Sequence, residues 1–429
     1  MPNGLPVMQV ERHNLPIVMV TLLVKASPLD ESPDRAGVAY LTSKMLTEGT
    51  TTRSASKISE DIEFLGASID ATTTSDFTTV SLSVMKKDVE KGFEIFSDVL
   101  LHPVFQEDEL KRKKELIKGA LRQREEDPAF IANRAFIREV FGDHAYGRLV
   151  EGSIESVERI QRNDVLDFYR TYYAPNNAVL SVVGDLTPGE LDALVKKYLA
   201  GWEKGAERSE RAPAGSRGER PAPALLTPSV IKLVPIDRDI TQANIILGHI
   251  GIARSNPDYY AVQVMNYILG GGGFASRLMQ VIRDERGLTY GISSAFIGNK
   301  EGGQFEVEVQ TKNESARTVI DEIVKQMEKM RTEPVSDQEL SDAKAYLTGS
   351  FPRRFETSRK IADFMPVAQF YNLGDDYIQK YPDYINSVTK EDVLRVAKKY
   401  LRPDAYVLVL VGNQKIIDLP QLKSPQNIR

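Results

Sequence analysis

SIESVERIQRNDVLDFYRTYYAPNNAVLSVVGDL, residues 153–186, and PDYINSVTKEDVLRVAKKYLRPDAYVLVLVGN, residues 382–413, follow the same local pattern. Each predicts a helix from apolar residues at helical spacing, then a turn carrying proline, then an apolar strand closed by glycine. The registers agree: Asp164-Val165-Leu166 and Asp392-Val393-Leu394 stand 228 positions apart, and so do Gly184 and Gly412. Farther upstream, EDELKRKKELIKG (107–119) faces DQELSDAKAYLTG (337–349) at an offset of 230. Both follow an alternating strand, FTTVSLSV at 77–84 and GQFEVEVQ at 303–310, with apolar residues at every second position. The chain is a tandem duplication.

Within each half the order is strand, helix, strand, helices, strand. That mixture predicts an α+β fold of two homologous domains, each a mainly antiparallel sheet packed with helices. The segment 201–228, GWEKGAERSERAPAGSRGERPAPALLTP, lacks either periodicity and is rich in Gly, Pro, Arg, Glu and Ser, so it predicts a solvated linker between domains at 1–200 and 229–429. Two such domains could form half of a clamshell chamber, and duplication could equally have built only a larger scaffold.

The remaining composition narrows function by exclusion. Sixty acidic and 55 basic residues give a net charge of −5, which offers no footprint for nucleic acid or an anionic membrane. The absence of cysteine excludes disulfides, thiolate zinc sites and thiol catalysis. No apolar run reaches the length of a membrane span, and MPNGLPVMQV lacks the regions of a signal peptide. Because that segment reads as a first strand, the expected location is periplasmic if a signal peptide has been removed and cytoplasmic otherwise.

Residues 30–84 hold the segment GVAYLTSKMLTEGT, and here the sequence resembles the N-terminal domain of the pitrilysin/insulinase zinc peptidases. The family motif is Gly-x-x-His-x-x-Glu-His-Met-x-x-x-Gly-Thr: two histidines bind zinc from one helix face and a glutamate polarises the attacking water. The frame Gly37, Met45, Gly49 and Thr50 is kept. The working positions are Tyr40, Ser43 and Lys44, and the family's further glutamate ligand falls at about Ala120, with Glu125 and Glu126 too far along the helix. A phenol, an alcohol, an ammonium and a methyl group imply no metal in this chain. His13, His102, His144 and His249 never lie within a helical turn of one another, and each reads as structural.

The second half keeps what the first has lost. YILGGGGFASRLMQVIRDERGLTYGIS (267–293) predicts a loosened backbone at Gly270, Gly271, Gly272 and Gly273, an amphipathic helix from about Phe274 to Arg286, a stop at Gly287 and a strand from Leu288. A phosphate-cradling reading fails for want of the Lys-Ser/Thr pattern and of a preceding strand. The resemblance implies that Arg283 and Tyr290 face a zinc site and bind substrate and transition state. Taken alone, Arg283 could pair with Glu285 or the linker, and Tyr290 could be a strand aromatic. The resemblance covers essentially the whole chain. It implies the non-catalytic subunit of a bacterial heterodimeric peptidase, similar in logic to the mitochondrial processing peptidase: a homologous zinc-bearing partner, unfolded peptide substrates, and zinc held only by the partner. The alternative is an inactive scaffold like the core subunits of respiratory complexes.

Overall fold

The computed structural model describes residues 1–206 and 230–418. Most of the expected linker lies outside the described residues. Its described residues 201–206 are mostly exposed but anchored at two points: Trp202 is buried, its indole N–H donates to the Tyr173 carbonyl at 3.3 Å, and Gly205 exchanges hydrogen bonds with Asn176.

In the first unit five strands lie in the order β1-β5-β2-β4-β3, namely β1 (Val7–Glu11), β2 (Ile17–Val24), β3 (Ser68–Thr73), β4 (Thr78–Met85) and β5 (Ala178–Gly184). In the second, β6 (Lys232–Asp237), β7 (Gln242–Ile250), β8 (Thr289–Gly298), β9 (Gly303–Lys312) and β10 (Val407–Gly412) repeat that order as β6-β10-β7-β9-β8. Only the first strand of each set pairs in parallel, β1 with β5 and β6 with β10; the others pair antiparallel. The α+β class and the mainly antiparallel sheets match the sequence reading.

Helices α1 (Val38–Met45), α2 (Ala55–Phe64), α3 (Val89–Leu101), α4 (Glu107–Arg124), α5 (Pro128–Phe141), α6 (Ile154–Arg159), α7 (Arg162–Tyr172) and α8 (Pro188–Leu199) come from the first half. The second contributes α9 (Tyr259–Asn266), α10 (Ala316–Thr332), α11 (Asp337–Ser350), α12 (Ser358–Phe370), α13 (Tyr377–Asn386) and α14 (Lys390–Tyr400). The helix starts are written locally: Ser336, Thr389 and Thr187 each close a capping box with the acidic residue three positions on.

The compact units differ from the contiguous halves 1–200 and 229–429 by an exchange. The first comprises the described residues of Met1–Arg122, Arg148–Arg220 and Pro352–Tyr377; the second those of Gln123–Gly147, Pro221–Phe351 and Ile378–Arg429. Helix α12, from the second half of the chain, packs on β2 and β5, where Thr21 donates to Asp363 at 2.7 Å. Helix α5, from the first half, packs on β7 and β10. The reason lies in the middle strands. Every residue of β5 and of β10 is buried, so each strand needs helices on both faces, and each half supplies its own sheet with only one of the two layers.

Candidate functional site

Two places answer to the sequence, one in each unit. In the first, Gly37 occupies the left-handed region at φ 97° just before α1, and the carboxylate of Glu31 accepts from the N–H groups of Gly37 (3.0 Å) and Ala39 (2.8 Å). These donors are among those a helix leaves unpaired at its start, so Glu31 anchors the helix there. Burial pushes the Glu31 carboxyl up to about 7 in spite of those two donors. The other frame residues are structural too: Met45 is fully buried, and Thr50 donates to the buried Asp98 at 2.7 Å.

On that helix the positions that would hold a metal are otherwise engaged. Ser43 is buried; its hydroxyl donates to the Tyr40 carbonyl (2.7 Å) and accepts from Thr73 (3.0 Å). Lys44 donates to the Ala71 carbonyl, lies 3.7 Å from the Asp70 carboxylate and sits 5.6 Å from the centre of the Tyr40 ring. Asp70, Ala71 and Thr73 all belong to β3, so side chains at two of these positions fasten α1 to the edge strand of its own sheet. Ala120 lies exposed on α4, one residue before the buried Leu121, and Glu125 pairs with Arg134.

This donor set does not fit zinc. It offers a phenol, a hydroxyl already engaged as donor and acceptor, a fixed cation and a methyl group where neutral imidazoles and a carboxylate are required. Among the described residues no three His, Asp or Glu side chains are placed to hold a metal ion. The histidines are scattered: His13 bonds Asp185 at 2.6 Å, His102 lies 3.3 Å from Asp98, and His144 meets Glu301 at 3.2 Å. His249 is fully buried, accepts from the Arg402 N–H at 3.2 Å and is pushed down to about 4 by burial.

In the second unit the glycine run and the segment after it form wide turns rather than the regular amphipathic helix expected from Phe274 to Arg286. Tyr267–Gly271 and Met279–Glu285 are π-helical, with a 3₁₀ turn at Gly273–Ala275 between them. The glycines permit this: a Cβ on Gly270 would lie 2.5 Å from the Ser294 hydroxyl and one on Gly271 2.7 Å from the Asn266 amide. Such widened turns concentrate at functional positions. At the far end the prediction holds: Gly287, at φ 63°, donates to the Arg283 carbonyl at 2.9 Å and Leu288 to that of Ile282 at 2.9 Å, and β8 begins at Thr289.

The π-turn and the strand bring Arg283 and Tyr290 together. The guanidinium carbon of Arg283 lies 5.3 Å from the centre of the Tyr290 ring and 4.5 Å from that of Phe274. Its nearest carboxylate is Asp284, at 4.0 Å, rather than Glu285. Tyr290 is 91% exposed, on a strand that ends its sheet, its outer edge unpaired among the described residues, and whose register shifts between Thr289 and Ile292. Two rings flank the guanidinium, and among the described residues Asp284 is the one carboxylate within ion-pair reach of it. Beside this pair a cleft of about 470 Å³ runs between α5 and the strands, lined among others by Ala129, Ile246, Met279, Gly291 and Glu308. Sequence reasoning missed the cleft. Alternation in GQFEVEVQ marks an apolar face of the strand and says nothing of what lies above the other one.

Duplicated sheets of this topology, with a metal-helix position that does not fit zinc in one and a half-buried arginine beside an exposed tyrosine in the other, define a two-unit chain of metallopeptidase architecture. The chain belongs to the insulinase family, peptidase family M16: residues 7–152 match the insulinase (peptidase family M16) profile and residues 159–347 the peptidase M16 inactive domain. It is 27% identical to an uncharacterized zinc protease of Streptomyces coelicolor over 88% of this chain and 82% of that protein. An uncharacterized zinc protease of Bacillus subtilis is 22% identical over 96% of both. The crystal structure of a peptidase M16 inactive domain from Pseudomonas fluorescens superposes with a TM-score of 0.86 at 29% identity, covering 97% of this chain and 98% of that one. No helix among the described residues is long and apolar enough to cross a membrane.

Proposed function

We propose that this chain is the non-catalytic, substrate-binding subunit of a heterodimeric zinc metalloendopeptidase whose zinc and general base come from a homologous partner subunit. One asymmetry carries the reading: Ser43 and Lys44 are tied to β3, whereas the half-buried Arg283 and the exposed Tyr290 stand together where the π-turn meets an edge strand. A peptide adds to the open edge of β8 as a further strand, read mainly through its backbone. Arg283 donates to substrate carbonyls and the Tyr290 phenol donates to the oxyanion that develops on the scissile carbon. The family membership and the match of residues 159–347 to the inactive-domain profile support this division of labour.

The test mixes the purified chain with a zinc-bearing homologue and follows cleavage of an unstructured peptide. Arg283→Ala and Tyr290→Phe are each expected to lower kcat/KM about tenfold or more. Unchanged turnover with both variants would dismiss shared catalysis and leave the scaffold reading.

A further inference from the structure

On one face of the second sheet, Glu306, Glu308 and Gln310 of β9 stand opposite Gly248, Ile246 and Asn244 of β7, and Glu308 also stands opposite Ser293 of β8. Helix α5 covers this face only in part. It packs on β7 and β10, seated so closely that a Cβ on Gly248 would lie 2.7 Å from the Phe136 ring. Glu306 is buried on this face, but beyond it the part carried by β8 and β9 is open, and Glu308, Gln310, Gly291 and Ser293 are all exposed along it. The cleft of about 470 Å³ is the trough between the flank of α5 and this ribbon, and its size lies within the roughly 300–1,000 Å³ of ligand clefts.

The chemistry of the trough is lopsided. Ala129, Ala132, Ile246 and Met279 make its walls apolar, and Glu308 is the one ionisable residue that lines it. Among the described residues neither Glu308 nor Glu306 has a cationic partner, and Glu306 receives a single hydrogen bond, from the Gln304 amide at 3.1 Å. Two carboxylates one pleat apart on the same face repel each other, and the buried one responds: burial first, and then the charge of Glu308, pushes the Glu306 carboxyl up to about 7. A trough with greasy walls and an unneutralised carboxylate on its floor complements a long aliphatic stem that ends in a cation.

We propose that this trough is a side-chain subsite for a lysine or arginine of the bound peptide, with Glu308 as the residue that selects it. The inference rests on the peptide-binding reading above. Gly291 and Ser293 line the trough and belong to β8, the strand whose edge would receive the peptide, and Tyr290 is the residue next to Gly291. A side chain from a peptide on that edge reaches the carboxylate while its backbone lies beside Arg283. Specificity on this account comes from charge at one position of an otherwise backbone-read substrate.

The experiment measures fluorescence anisotropy with the purified full chain and fluorescein-labelled extended peptides rich in Ala, Val and Ser, in which a single lysine, norleucine or glutamate is walked along the sequence. At one position lysine is expected to bind about tenfold tighter than norleucine, with the margin shrinking as salt is raised. Glu308→Gln is expected to erase that margin, and Glu308→Lys to transfer it to the glutamate peptide. Because Glu308 is exposed and the carboxylate one pleat away on its strand, Glu306, repels it, neither variant should lower the melting temperature, and a melting temperature at or above that of the wild type serves as the folding control. Equal binding of lysine and norleucine peptides at every position, or a lysine preference that survives Glu308→Gln, overturns the subsite while leaving peptide binding intact. Failure of the wild-type chain to bind any peptide overturns the peptide-binding reading and this inference with it.

Discussion

Replacing Glu306 by glutamine should stabilise the protein at alkaline pH and leave it nearly unchanged in acid. Glu306 is 7% exposed, and burial together with the neighbouring Glu308 moves its carboxyl from 4.5 to about 7. Below pH 4.5 the group is neutral in the folded and unfolded chains alike, so it adds no penalty. Between 4.5 and 7 the unfolded chain ionises and the folded one does not, and stability falls; above 7 the folded chain holds the charge at full cost. The interval corresponds to about 3 kcal/mol. Glutamine keeps the volume and a partner for Gln304 but cannot ionise. At roughly 2–4 °C per kcal/mol for a unit of this size, Glu306→Gln should raise the melting temperature by roughly 6–12 °C at pH 8.5 and hardly at all at pH 4.5. Differential scanning calorimetry of wild type and variant across that range makes the comparison. Glu31, which is raised to a similar value, contributes equally to both proteins and cancels. A shift of the same size at both pH values, or a loss at pH 8.5, would mean that the Glu306 carboxylate is not ionised at a cost inside the folded protein.

Two further substitutions probe the frame that carries the sites. Gly248→Ala forces a methyl group against the Phe305 carbonyl and within 2.7 Å of Phe136, so it should unseat α5 and cost about 2–4 kcal/mol, read as a lower urea midpoint. Arg53 donates to Asp98 at 2.7 Å and bonds Asp61 and Glu94 as well. Burial works to raise the Asp98 carboxyl, but Thr50, Thr52 and Arg53 outweigh it and hold the group below its usual range. Arg53→Ala should therefore cost about 3 kcal/mol at pH 7, and the deficit should narrow as pH falls through the carboxylate range, because the protonated acid no longer needs the cation. Denaturant titrations at pH 7 and pH 3 showing the same deficit would remove the ion pair from the explanation.

The duplication was legible because its signals are local. A capping box before an amphipathic helix and an apolar run closed by glycine do not depend on what packs against them, so the strands at 77–84 and 303–310 reappear within a residue or two as β4 and β9. The exchange of α5 and α12 was not legible. Helical periodicity says that a face is buried, never against which sheet, and Phe136 carries no mark of pairing with Gly248. The same limit hid the trough: in GQFEVEVQ alternation separates the faces of β9, but only the third dimension reveals that α5 stops short of Glu308. At Ser43 and Lys44 the residue types spoke against a metal, while their fastening to β3 needed the folded positions of Thr73 and Ala71. The π-turns at 267–271 and 279–285 escaped because a single inserted residue per turn leaves the apolar spacing almost unchanged.

Helices α5 and α12 start at Pro128 and Ser358, 230 positions apart, the same offset that relates α4 to α11. Equivalent elements have thus traded places, which is the signature of a domain-swapped pair. In a single-copy ancestor the trade would have required two chains, each lending a helix to its twin. Joined end to end in one chain, the copies make that trade internally, with no dependence on concentration. It also made each copy hostage to the other: a truncation that discards either half strips a layer from the sheet of the survivor.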